Sequence, residues 1–432
     1  MLRNENNTVP AWRLVLLGVI FLMGLVSIIS SGGSSSAPAP APPPVEQQLL
    51  QFSNGQVASV VIGQTNFVDI LSNQGGAPDA DTLGGPYGNV AVAAGVLYVP
   101  DYGNNRVLGF NSVPAVDGAA ANFVLGQVDF MQATPDLSAS TLDGPQAPDD
   151  GDGKFVITDY NNNRVLIYNS IPTVGPSVAD IAVGQDDLDS SEFGCTAARL
   201  DSPETAIIVA GKLVVTDTRN HRVLIWSSIP TASGVPADIV LGQPDFVTCI
   251  SNNDVQAGGP SARTLDEPAG VWSDGQRLLV IDSLNNRVLI WTSFPTSNYT
   301  PADLVLGQDS FANIASNDVD QDGASDGAPD SRTLAYPYDG IHFNGLQLCV
   351  TDADNNRVLI WDAFPTSNFQ PADRVLGQSD FVSDLANDST GDGSGDDPGA
   401  TTLDSPNGCF FNDDQLIVGD QANQRVLIYT AP

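Results

Sequence analysis

Six near-copies of one eleven-residue phrase restrict the folds open to this chain more than any other feature. "TDADNNRVLIW" recurs as "PDYGNNRVLGF", "TDYNNNRVLIY", "TDTRNHRVLIW", "IDSLNNRVLIW" and "GDQANQRVLIY". Their arginines are Arg106, Arg164, Arg222, Arg287, Arg357 and Arg425, spaced 58 to 70 residues apart. Two further signatures keep step. A "VLGQ"-like element ends at Gln64, Gln127, Gln185, Gln243, Gln308 and Gln378, and a "TLxxP"-like element ends at Pro86, Pro145, Pro203, Pro268, Pro337 and Pro406. A period of this length implies one core shared by repeated units rather than separate domains.

Each unit reads as four short strands. Blade three is the example: "ETAIIVAG", "KLVVTD", "RVLIW" and "IVLGQ", with turns rich in Gly, Asn and Pro between them. β-branched and aromatic runs bounded by such turns are strand signals. No stretch beyond residue 50 keeps a helical period. Four antiparallel strands repeated radially make a β-propeller, and six repeats predict six blades. The phase of the ends supports a closed ring. The chain enters on "VASVVIGQ", a fourth strand without its first three, and leaves on "LIYTAP", a third strand without its fourth. The expected fold is therefore all-β, a six-bladed propeller over 51–432 whose N-terminal strand completes the last blade.

The repeated phrase itself is scaffold, because one active site has no use for six copies. Phe110, Tyr168, Trp226, Trp291, Trp361 and Tyr429 share one position and are expected in the core. The Asp before each turn, from Asp101 to Asp420, is placed to take amide hydrogen bonds and to pair with the Arg. The second blade departs from the pattern: "QAPDDGD" stands where a first strand is expected, so this blade is predicted to be the least regular.

At these residues the chain resembles the NHL-repeat propellers. The family pattern, Leu-x-x-Pro-x-Gly, a hydrophobic strand, then Asp-x-x-Asn-x-Arg-Val, matches from about Leu83 to Leu427, and the "VLGQxDF" element resembles a bacterial variant with longer blades. The family holds binding scaffolds and a few enzymes, so the resemblance implies fold and not activity. Its metal-dependent lyases use a channel histidine cluster. Here only His221, inside a turn motif where the family pattern carries a His, and His342, alone in a first strand, are present.

The first fifty residues lie outside the repeat. Residues 14–29 are uncharged and follow Arg3 and Arg13, so residues 1–31 read either as a signal peptide or as a membrane anchor with the remainder exported. Residues 32–50 read as a Ser/Ala/Pro-rich linker. The chain is expected in the periplasm or at the cell surface, tethered or secreted, as a monomer that meets the membrane only through this segment. A net charge of -35 repels phosphates and anionic headgroups and argues against a nucleic-acid partner. Cys349 and Cys409 sit in apolar runs and read as small core residues. Cys195 and Cys249 lie in loops of consecutive repeats, where a disulfide is open in an oxidising compartment.

Function is expected in the loops between "GQ" and "TLxxP", which vary most and share one face with the "xxNN" turns. These loops are acidic. Asp318, Asp320, Asp322 and Asp326, with Gly323, follow a calcium-loop spacing, and Asp388, Thr390, Asp392 and Asp396 repeat it; alternate oxygens around a glycine suit a hard cation. Neither loop has flanking helices or a terminal bidentate Glu, so a solvated acidic loop is the plainer alternative. Calcium is the candidate cofactor, and a protein or glycan ligand on the acidic face is the expected partner.

The second candidate site is the channel mouth, where the residues after each conserved proline begin the innermost strands. Asn89, Glu204, Asp339 and Asn407, near Tyr87, Gln146 and Tyr338, resemble in type the metal site of lactonase-like propellers. They carry the alternative reading of a metal-dependent hydrolase or lyase; a purely structural envelope protein is the third. No nucleophile elbow, phosphate loop, CxxC or histidine-based zinc motif is present, and no catalytic residue is assigned.

Overall fold

The computed structural model describes residues 48–432 except 392 and 396; the expected signal or anchor segment and all but the end of the linker lie outside the described residues. Six four-stranded antiparallel sheets stand around one axis. Blade three is representative, with strands Pro203–Val209, Lys212–Asp217, Arg222–Trp226 and Ile239–Leu241. Blade six closes as the phase of the ends predicted. Its first three strands come from the C-terminal end and its fourth is Val60–Ile62, with Val60, Val61 and Ile62 facing Ile428, Leu427 and Val426. Among the described residues no helix is long and apolar enough to cross a membrane.

Six hydrophobic clusters fill the seams, and each draws on two consecutive blades. One joins Val156, Ile167 and Val183 of blade two to Leu213, Leu224 and Trp226 of blade three. The N-terminal segment seals another, where Phe52 packs with Phe411 and Tyr429. Burying side chains of this size contributes about 1.5–3 kcal/mol each. Every strand of a blade is covered on both faces, which is why "RVLIW" is apolar without alternation.

The invariant Asp and Arg form a fully buried pair in each blade. Arg222 Nε donates to Asp217 Oδ2 at 2.6 Å, and the same oxygen accepts from Asn220. The other Asp217 oxygen holds the Asp201 N–H before the conserved proline. The guanidinium also donates to the carbonyls of Thr196, Arg199 and Phe246, tying the loop that enters the blade to the loop that leaves it. This explains the "DF" of "VLGQxDF": in blade one Arg106 donates to the Phe130 carbonyl, the Phe130 ring packs on the core, and Asp129 holds the turn by accepting from the Met131 and Gln132 N–H groups. The "GQ" glutamine performs a parallel task, Gln243 donating to the carbonyls of His221 and Ile250. Burial outweighs the Arg partner at the Asp, so the Asp217 carboxyl is pushed up to about 6.

Two expectations need correction. Blade two is regular: "PQAPDDG" forms a seven-residue strand, Pro145–Gly151, paired along Lys154–Asp159. Its carboxylates find work as acceptors, Asp149 taking the Ile208 N–H and Asp152 the Gly211 N–H of blade three. The shortest first strands are instead Ala91–Ala93 and Ile341–Phe343. Cys349 and Cys409 are not merely small core residues: they form a disulfide between blades five and six, as Cys195 and Cys249 do between the loops entering blades three and four.

Candidate functional site

The second-strand-to-third-strand turn and the start of the next blade's first strand meet on one face. The last turn residue adopts a left-handed conformation, at Asn163 φ 52° and at His221 φ 53°. Asn tolerates this region, and its side chain caps the next blade: Asn163 Oδ1 accepts from Ser202 N, and Asn286 Oδ1 from Tyr336 N. His221 does the same through Nδ1 to Glu267 N, so it is structural, as its place in the motif implied. The Thr of "TD" then holds the strand start itself, Thr158 Oγ1 donating to the Glu204 carbonyl and Thr216 Oγ1 to that of Ala269.

These supports place one residue per blade at the neck of the channel: Tyr87, Gln146, Glu204, Ala269, Tyr338 and Asn407. The register of the first strand shifts just after them, at Pro203/Ala206 in blade three and Gln146/Asp149 in blade two. Such a bulge breaks the alternation of faces, so the adjacent Glu204 and Thr205 are both buried. Asp339 occupies the position after Tyr338 with φ 28°, a strained backbone for a residue with a side chain.

Side chains of blades three and five meet here, because blade four between them offers only Ala269 and Gly270. A Cβ on Gly270 would lie 2.4 Å from the Asp339 carbonyl. Tyr338 Oη donates to Glu204 Oε1 at 2.5 Å, and Thr205 Oγ1 to Asp339 Oδ1 at 3.4 Å. Burial raises the pKa of Glu204, and the Asp339 charge raises it further against the Tyr338 hydrogen bond; burial also raises Asp339. Above the pair, Tyr338 packs against Tyr87 and Tyr336 with ring centroids 5.4 Å apart, and Tyr87 against Tyr102. Below it, residues from all six first strands line a cavity of about 40 Å³, among them Asn89, Thr205 and His342. That space suits a few waters or an ion rather than an organic molecule.

The structure therefore brings together Glu204 and Asp339 of the channel candidates, whereas Asn407 donates to the Pro86 carbonyl and turns its Oδ1 toward Gly419 of its own blade. Asn89 is different: it is half-buried, and its Oδ1 accepts its neighbour's Val90 N–H. His342 stacks on Phe410 at 4.3 Å and accepts the Phe411 N–H; burial lowers its pKa to about 4, leaving a neutral packing residue. Sequence reasoning missed Thr205, Tyr102, Tyr336 and Tyr160, whose ring packs edge-on against Tyr102 at 6.2 Å. The signal for Tyr102 and Tyr160 was available, since both follow the turn Asp on the face where the first strands begin.

In the longest loops, Asp318, Asp320 and Asp326 each present an oxygen within 4.8 Å of the others. Asp322 is not one of these three; its carboxylate accepts the Ala324 N–H. Asp318 is buried and accepts from Asn313, Asp322 and Gly323; Asp326 accepts from Val319 and Asp320. The Asp322 N–H lowers the Asp320 pKa, but the charges of Asp322, Asp326 and Asp318 outweigh it and the net shift is upward. In the second loop Asp388 accepts from Gly391 and Gly393, and Thr390 is exposed; Asp392 and Asp396 lie outside the described residues. Reciprocal amide pairs, Asn317 with Asn355 and Asn387 with Asn423, fasten both loops to their turns.

No family model matches this sequence, and no curated protein matches it. Among solved structures the chain is similar to a streptogramin B lyase at 12% identity, covering 82% of this chain and 94% of that one with a TM-score of 0.39. It is also similar to a catalytically inactive virginiamycin B lyase from Staphylococcus aureus with quinupristin, at 12% identity, 80% and 94% coverage and a TM-score of 0.38. A computationally designed protein, Ika8, aligns at 9% identity over 87% of this chain and all of its own, with a TM-score of 0.38. These are distant likenesses, and they assign no activity.

Proposed function

We propose that the chain is an exported NHL-type propeller that binds a protein or glycan ligand through its acidic loop face, with calcium ordering the longest loop. One observation carries this reading: large apolar side chains stand exposed within the acidic rim. Met131 is 69% exposed, Val247 72%, Phe193 72% and Val382 61%. All four lie in the loops between "GQ" and the next conserved proline. A protein ligand covers such side chains and the carboxylates of the same loops together, and this combination favours a protein. The two disulfides and the N-terminal apolar segment support export.

The test is binding of labelled protein to envelope fractions of the source cell. Met131→Asp with Val247→Asp on the loop face should reduce binding at least ~10-fold, the effect of losing about 1.4 kcal/mol. Val116→Asp with Val174→Asp, on the connections between third and fourth strands, should leave it unchanged. Equal effects from both pairs would refute the assignment of the face. The second reading, a hydrolase or lyase acting at the channel mouth, draws on the buried Glu204–Asp339 pair. A lactone and ester screen with added divalent metals tests it, with loss of turnover expected on Glu204→Gln.

A further inference from the structure

His342 is the histidine that the turn motif does not use. It occupies a register position that recurs in every first strand, opposite the third residue before the turn Asp. Blades one, two and three place Ala91, Asp149 and Ile207 there, whereas blades four, five and six place Trp272, His342 and Phe410. Three consecutive blades thus turn aromatic rings to one side of the channel. The next position adds Phe343 and Phe411. Trp272 meets Phe343 edge-on at 5.5 Å, and His342 lies 6.0 Å from Phe411. His342, Phe343 and Phe411 wall a cavity of about 480 Å³, which Asn344 and Asp413 border. Both of these belong to turns between first and second strands, so the cavity opens on the face opposite the acidic loops. Cys349 pairs with His342 in register and Cys409 precedes Phe410, so their disulfide ties blades five and six together at this level.

The polar groups of this cavity are few and oriented. His342 Nδ1 accepts the Phe411 N–H at 3.1 Å. A ring nitrogen that accepts carries no proton, so in the neutral imidazole the proton sits on Nε2. Nε2 has no acceptor among the described residues and is not one of the fully buried atoms without a partner, so this N–H opens on the cavities that the ring lines. Asp413 is exposed, and its carboxylate has no partner among the described residues. Asn344 Oδ1 is already committed to the Leu346 and Gln347 N–H groups. Arg277 lies over the Phe343 ring but is paired with Asp274. A cationic ligand would meet the His342 N–H, and an anionic one the Asp413 carboxylate. A hydroxyl both donates and accepts, and so suits the two together. We propose that this cavity binds the neutral, hydroxylated ring of a sugar. The apolar C–H surface of the sugar rests on the aromatic walls, one hydroxyl takes the His342 Nε2–H, and another donates to Asp413. The volume lies within the usual range for small-molecule sites and has room for a mono- or disaccharide. The site is independent of binding at the loop face and of any reaction at the other mouth.

The probes are the neutral methyl glycosides of glucose, galactose, mannose and N-acetylglucosamine, with choline and glucuronate as charged controls. Each is titrated against the full chain by saturation-transfer NMR. At least one neutral glycoside should bind with a Kd below about 10 mM, and the charged controls at least ~10-fold more weakly. Asp413→Gly suits the left-handed backbone at that position, φ 49°, so the fold is expected to survive. It should weaken binding ~10-fold, the loss of one hydrogen bond to a charged group. His342→Phe keeps an aromatic ring, removes the N–H and should weaken binding by a similar factor; Asp413→Gly decides alone should that variant fail to fold. Met131→Asp with Val247→Asp should leave sugar binding unchanged, which separates this site from the loop face. The proposal is overturned if no glycoside binds by about 10 mM, or if choline or glucuronate binds more tightly than every neutral sugar. It is also overturned if Asp413→Gly leaves the affinity unchanged, or if the loop-face pair abolishes sugar binding.

Discussion

Replacing Arg425 with Met tests the buried pair and the ring closure together. The guanidinium donates to Asp420 at 2.6 Å, to the Gly399 and Thr402 carbonyls at 3.0 Å each, and to the Phe67 carbonyl. Asp420 is fully buried and would keep only Asn423 and the Asp404 N–H as donors. Breaking a buried pair from one side costs about 3–5 kcal/mol, because an uncompensated charge stays behind. Arg425→Met and Asp420→Leu should each fall in that range by urea unfolding followed through tryptophan fluorescence. Arg425→Met with Asp420→Leu removes both charges and leaves orphaned carbonyls together with the Asp404 N–H and the Asn423 amide, neutral groups at about 1–3 kcal/mol each before relaxation. The double variant should therefore cost clearly less than the two single changes added, with a coupling of about 3 kcal/mol. Because Phe67 belongs to the N-terminal segment, Arg425→Met should also expose residues 48–67 to proteolysis, whereas Arg287→Met should not. Additive costs, or a single change below about 1 kcal/mol, would refute the claim that these pairs hold the blades.

Three further outcomes follow from other parts of the molecule. Asp149 is pushed up to about 7, chiefly by burial and against the Ile208 N–H. The folded state thus binds its proton more tightly than the unfolded chain, and stability falls as pH rises from about 4 to 7. Asp149→Asn should flatten that slope and gain about 2 kcal/mol at pH 8, discounted for the side chain's residual exposure; unchanged urea midpoints across pH 4–8 would contradict it. The Cys349–Cys409 bridge closes a separation of 60 residues, worth about 4 kcal/mol by chain entropy, so Cys349→Ala with Cys409→Ala should lower the urea midpoint accordingly, and an unmoved midpoint would show that the seam holds without it. About 2 mM calcium should stabilise the chain by about 0.6–1.8 kcal/mol through the loop candidate, and Asp320→Ala with Asp326→Ala should remove that part of the melting shift; its persistence in full would eliminate the loop site.

Local chemistry explains what was readable without coordinates. The Asp of each turn pairs with the Arg five positions on and accepts from the Asn three positions on, so the motif is written locally although the same Arg also ties distant loops. Six copies therefore announced six blades, and the missing first and last strands announced closure through Val60–Ile62. Glu204 and Asn407 were singled out because each directly follows a proline that starts an inner strand, and Asp339 because it stands two places after Pro337, ahead of Ile341–Phe343. Only the tertiary structure decided what those residues meet. Tyr338 reaches Glu204 across 134 positions of sequence because blade four is small at Ala269 and Gly270. Asp149 is useful in a strand it seemed to spoil because Ile208 of the next blade offers an N–H. Cys349 and Cys409 pair because two blades lie side by side. Sequence carries the pattern of a strand; which side chains meet across blades depends on distances between strands that no local pattern records.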